Sequence, residues 1–176
     1  MEKTKHEEFL ALYEPIHVQL SRFCRAISGN REDAEDLMND TILIALEQMV
    51  RIKNKSLFKA YLFSIASNIN KMRFRRTKFR VEFSEKEINQ IIDLANNPED
   101  ATEFRIIYDK MLALTAKTSE TLILFHISDL SIEEIQKIQG GSISGVKLRL
   151  KRGREKLLKL LESPRQRELA IMLFTF

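Results

Sequence analysis

Ser131-Ile-Glu-Glu-Ile-Gln-Lys-Ile-Gln-Gly-Gly-Ser-Ile-Ser-Gly-Val-Lys-Leu-Arg-Leu-Lys-Arg152 is the stretch on which the fold turns. Ser131 and Glu134 stand at capping-box spacing ahead of Ile135 and Ile138, which predicts a short helix from Ser131. Gly140-Gly141-Ser142 turns the chain, and Val146, Leu150, Leu157 and Leu161 line a last long helix that stops near Ser163-Pro164. Short helix, glycine turn and a helix opening with Ser144, Lys147, Arg149, Lys151 and Arg152 have the spacing of a helix-turn-helix. Val146 and Leu150 face the core, while Ser144, Lys147, Leu148 and Lys151 fall on the side a recognition helix presents to base edges and phosphates. An ordinary helical hairpin with a basic face has the same pattern, so this motif alone leaves both readings open.

Charge favours the first. The 176 residues carry 29 Lys plus Arg against 25 Asp plus Glu, a net +4. Residues 1–80 hold 15 basic and 10 acidic side chains, residues 81–110 hold 3 and 8, and residues 111–176 hold 11 and 7. The chain therefore reads basic, acidic, basic. Lys71, Arg73, Arg75, Arg76, Lys78 and Arg80 follow one another with no acid between them, and from Lys147 to Lys159 Glu155 is the lone acid. Solvated helix faces usually interleave both signs, so two one-sided runs favour a polyanion, and nucleic acid is the commonest.

Several function classes fall away. Cys24 is the single cysteine, and His6, His17 and His126 are too scattered to join it at metal-ligand spacing, which excludes a disulfide framework and predicts no metal or cofactor. There is no Walker-type glycine loop and no nucleophile with a base, so an enzyme with a small-molecule substrate is not expected. No apolar run reaches signal-peptide or membrane-span length, and the expectation is a soluble, reduced, cytoplasmic protein.

The remaining chain is helical throughout. Phe9, Leu10, Tyr13, Leu20, Phe23, Cys24 and Ile27 form one apolar face, with Pro15 marking a kink or a fresh start. After Ser28-Gly29-Asn30, a second helix follows Ala34, Leu37, Met38, Thr41, Ala45 and Met49, its first turn suited by Asp33 and Glu35 to the helix dipole. A third, after Ser56, follows Leu57, Tyr61, Leu62, Ile65, Ala66, Ile69 and Met72 into the basic run, and Phe58 lies one turn from Tyr61 and can share its face. Ser84 and Glu87 cap a short helix before Asn96-Asn97-Pro98; Phe104, Ile107, Tyr108, Met111 and Leu112 give the next helix, and Ser119 starts another. The fold class is all-α, two small helical domains: 1–80, a three-helix bundle; 81–110, an acidic linker with a short helix and the start of the next; 111–163, the helix-turn-helix domain; and 164–176, an apolar tail. That tail either folds back or offers a surface to a partner.

Together the two units resemble an extracytoplasmic-function sigma factor of bacterial RNA polymerase, over nearly the whole chain. Ala34-Glu35-Asp36-Leu37-Met38-Asn39-Asp40 is similar to the family segment that binds the clamp coiled coil of the polymerase largest subunit. Tyr61-Leu62, Ile65-Ala66-Ser67-Asn68 and the basic run resemble the helix that reads the minus-ten element as single strand. Glu134-Ile135 and Val146-Lys147-Leu148-Arg149-Leu150-Lys151-Arg152 resemble the minus-thirty-five reader. The resemblance implies polymerase contacts from Glu35, Asp36, Asn39 and Asp40, and minus-ten contacts from Tyr61, Asn68, Lys71, Arg73, Arg75 and Arg76. It implies minus-thirty-five contacts from Ser142, Ser144, Lys147, Arg149, Lys151 and Arg152. Its partners would be core RNA polymerase, duplex and single-stranded promoter DNA, and an anti-sigma factor.

Departures are visible. Tyr61 replaces a family tryptophan, Met72 an acid, and Gln136, Gln139 and Gly141 fill small or apolar positions, with Gly145 at a commonly hydroxyl-bearing one. A buried glutamine without partners costs roughly 1–3 kcal/mol and a glycine inside a helix up to ~1 kcal/mol. The alternative function is a free-standing helix-turn-helix regulator that does not bind core polymerase.

Overall fold

Pro15 decides how the chain begins. It lacks the N–H a continuous helix needs, so α1 (Glu2–Tyr13) gives way to a 3-10 turn, Glu14–Ile16, and α2 (His17–Ile27) starts afresh. The structure, a computed structural model, describes residues 2–28, 30–49, 52, 54–76 and 98–174, with side-chain surroundings for 6–28, 30–49, 52, 54–73 and 102–174. The described residues contain helices and no strand, and they fall into two compact units, one of residues 1–82 with 137–140 and one of residues 83–136 with 141–176.

In the N-terminal unit, Asn30 accepts a hydrogen bond from the Asp33 N–H at 2.8 Å and so caps α3 (Arg31–Gln48), whose first turn carries Glu32 and Asp33. Such a cap stabilises a helix by about 1 kcal/mol. Asn54 accepts from Ser56 N–H at 3.0 Å ahead of a 3-10 turn, Lys55–Leu57, which leads into α4 (Phe58–Arg76). Among the described residues of this unit, the expected first helix is thus two, α1 and α2, with Pro15 marking the fresh start. Leu20, Phe23, Leu37, Ala45, Leu62, Phe63 and Ala66 build the core. Phe58 meets Phe9 edge to face at 5.5 Å, and Phe63 meets Phe23 at 5.2 Å. Leu10, expected on the apolar face, is exposed, because Phe9 takes the inward position on α1. Burial pushes the Cys24 thiol up to about 12, which leaves it protonated and inert.

The C-terminal half of the chain contains α5 (Pro98–Leu112), α6 (Ala116–Leu122) continued by a π turn at Ile123–Ile127, α7 (Ile132–Gln139), α8 (Ile143–Leu160) and α9 (Pro164–Phe174), and all of these but the end of α7 belong to the second unit. Helix α5, whose opening the sequence reading assigned to the linker, buries Phe104, Ile107, Tyr108 and Met111 in this unit's core. Helix α6 begins at Ala116 rather than Ser119, which is buried. The apolar tail folds back: α9 packs mainly on α5 and buries Leu169, Ala170 and Phe174, leaving Ile171 and Met172 exposed. Gly153 lets α8 approach α6 closely, since a Cβ there would stand 2.8 Å from Thr118 Cγ2. The helix expected from Ser84 and Glu87, the Asn96-Asn97 break, Lys78, Arg80 and the last two residues of the tail lie outside the described residues.

Candidate nucleic-acid interface

Local signals set the frame of α7 and α8. Ser131 N–H donates to Glu134 Oε2 at 2.8 Å and Glu134 N–H donates to Ser131 Oγ at 3.2 Å, which completes the capping box. Gly140 and Gly141 turn the chain at φ 71° and 88°, a region that favours glycine. The Gln136 side chain donates to the Gly141 carbonyl at 2.8 Å, so this residue ties down the turn instead of standing unsatisfied. Ser142 caps α8 by accepting from Gly145 N–H at 3.1 Å, and its hydroxyl lies 3.0 Å from that of Ser144.

From that start, Val146, Leu150, Gly153 and Leu157 point inward. Ser144, Lys147, Leu148, Lys151 and Arg152 are exposed. Arg149 is half-buried and lines, with Thr118, Gly145, Leu148, Arg152 and Lys156, a groove of about 280 Å³ along one flank of α8. A convex polar ridge beside a basic groove is a shape that can enter a duplex groove while holding backbone phosphates.

Side chains that belong to no sequence motif steady α8. Arg154 Nε donates to His126 Nε2 at 3.2 Å, its guanidinium lies 5.5 Å from the Phe125 ring centre, and the His126 ring meets Phe174 of α9 at 4.8 Å. Burial, reinforced by the Arg154 charge, pushes the imidazole down to about 3, so it stays neutral and accepts. Nothing local in the sequence signals this contact between residues 28 positions apart. Gly153 was readable, as a glycine in the inward register of an otherwise regular helix.

On α4, Tyr61 is half-buried and Asn68, two turns on along the same stripe, is exposed. Phe58 and Phe63 are core residues, so Phe58 shares no exposed face with Tyr61. Exposed Lys71 donates to Ser67 Oγ at 2.8 Å. Arg73 reaches α3: its Nη2 stands 2.7 Å from Asp40 Oδ2 and its Nη1 donates to the Asp33 carbonyl at 3.2 Å. Two residues expected at separate sites thus meet. Arg75 and Arg76 lie on α4, their side chains outside the described residues. On α3, Glu35 pairs with Arg31 at 2.7 Å, while Asp36, Asn39 and Asp40 are exposed along with Leu43 and Ile44.

A family model described as Sigma-70 region 2 matches residues 12–80, and one described as Sigma-70, region 4 matches residues 104–157. The chain is 31% identical over 147 residues to ECF RNA polymerase sigma factor EcfG of Rhodopseudomonas palustris (strain TIE-1), which covers 81% of this chain and 78% of that protein. The chain belongs to the extracytoplasmic-function sigma factors. This sigma factor is also 27% identical over 173 residues to ECF RNA polymerase sigma factor SigW of Bacillus subtilis (strain 168), covering 92% of each. RNA polymerase sigma factor YlaC of the same organism is 27% identical over 173 residues, covering 93% of this chain and 98% of that one. The family places the protein in transcription initiation, with core polymerase and promoter DNA as partners, and the free-standing regulator is not favoured. The region 2 match takes in α2 to α4 and the region 4 match ends within α8, so α9 lies beyond both.

Proposed function

We propose that the two units divide promoter recognition between them. Glu35, Asp36, Asn39 and Asp40 on α3 dock on core polymerase. Tyr61, Asn68, Lys71, Arg73, Arg75 and Arg76 on α4 hold the minus-ten element as single strand. Ser142, Ser144, Lys147, Arg149, Lys151 and Arg152 bind the minus-thirty-five duplex. The observation that carries this reading is α8: a serine-capped helix whose outer face and flank are basic while its inner face is apolar.

Magnitudes fix what so small a protein does. Opening DNA costs about 1.4 kcal/mol per base step, whereas a base stacked on an aromatic or held in a pocket returns roughly 1–3 kcal/mol. The sigma factor therefore nucleates opening by trapping one or two bases near Tyr61 and Asn68, and the polymerase supplies the rest. It works in the cytoplasm beside its polymerase; among the described residues, no helix is long and apolar enough to cross a membrane. An anti-sigma factor, the usual inhibitor in this family, is its further partner.

The test is salt dependence. Each phosphate contact contributes close to one unit to the slope of log affinity against log salt. For holoenzyme on promoter duplex, Lys147→Ala and Lys151→Ala should each lower that slope by about 1 while weakening all sequences alike. Unchanged slopes in both variants would remove α8 from the interface.

A further inference from the structure

Leu148 is an apolar residue in a polar place. It is 45% exposed, although removing a leucine from water gains roughly 1.5–3 kcal/mol. Its neighbours along α8 at one-turn spacing are Ser144, Lys151 and Arg152, and Lys147 precedes it; all are exposed. A lone exposed leucine is ordinary on a protein surface, but this one has a particular setting. It borders the groove formed with Arg149, Arg152, Lys156 and Thr118. Gly145, one turn back, leaves a recess beside it, for a Cβ at Gly145 would meet Ser142 Oγ alone, at 3.2 Å.

Cations along the flank suit phosphates, which position a duplex without reading its sequence. An apolar side chain between those cations and the outer ridge has one apolar partner to find in the major groove, the C5-methyl of thymine, and such contacts distinguish thymine from the other bases. We propose that Leu148 is a specificity-determining residue that packs on a thymine methyl group in the minus-thirty-five element, with the Gly145 recess admitting the base edge. This rests on the reading of α8 as the duplex-binding helix.

The test uses full-length protein bound to core polymerase and duplex DNA randomised across the upstream element. The enriched duplex is then remade with deoxyuridine replacing one thymine at a time, which deletes the methyl and nothing else. Wild type should lose about three- to five-fold in affinity at one position, as expected for one methyl-sized contact. Leu148→Ala, a change at an exposed site that leaves the core intact, should show a ratio near one at that position and wild-type ratios elsewhere. A scan flat in wild type, a methyl effect that persists in Leu148→Ala, or a Leu148→Ala loss equal on every duplex would overturn the assignment. Failure to enrich any sequence would overturn the duplex-binding role of α8, and this proposal with it.

Discussion

The two units build charged surfaces by different means. In the C-terminal unit, α7, the turn after it and the start of α8 are fixed by neighbours in sequence: Ser131 with Glu134, Gln136 with Gly141, Ser142 with Gly145. In the N-terminal unit, the acidic face of α3 and the basic end of α4 are joined by a contact across 33 positions, Arg73 to Asp40. A site framed by local hydrogen bonds is specified by a short segment, while one framed between helices depends on the whole bundle. Damage to the N-terminal core should therefore disturb its functional surface more than damage to the α8 cap disturbs the other.

The largest effect tests that directly. Phe63→Ala, which removes a fully buried ring packed on Phe23, should cost the N-terminal unit about 3–5 kcal/mol. Hydrogen exchange should show this on α2 to α4 and spare α8; equal loss in both units would break the comparison. Gly153→Val should cost the C-terminal unit about 1–3 kcal/mol by overpacking against Thr118 and Leu122, read by urea denaturation.

A pH effect comes next. His126 in the folded chain titrates near 3, below its ordinary 6.5, so between these values the unfolded chain binds a proton that the folded one refuses. Stability of the C-terminal unit should fall as pH drops through that window, by at most ~1.4 kcal/mol per pH unit, with no such contribution above it. Comparing acid denaturation of wild type with His126→Leu isolates this slope. The smallest effect is the Asp40–Arg73 coupling, below about 1 kcal/mol for so exposed a pair in a double-mutant cycle. A larger value would make the N-terminal site depend on that single contact.

What the sequence disclosed follows the same division. The all-α class, the helix-turn-helix and the capping box were legible because periodicity, glycine turns and caps act within a few residues. The inward register of Val146 and Leu150 was legible for the same reason. Arg73 on Asp40 and Arg154 on His126 were not, since each pairs residues brought together only by folding. Gln136 looked like a liability while its partner, a carbonyl in the following turn, was out of sight. Pro15 was recognised as a break, yet its outcome depended on whether a new helix could start at His17 and pack.

The most direct measurement is in vitro transcription with sigma-free bacterial core polymerase on a pool of genomic fragments, comparing wild type with Asp36→Arg. Transcripts that start at discrete sites with wild type and vanish with Asp36→Arg, while the variant stays folded, are the predicted result. Discrete transcripts that persist in Asp36→Arg would contradict docking through the acidic face of α3, and wild type that directs no discrete start would contradict the division of labour between the two units.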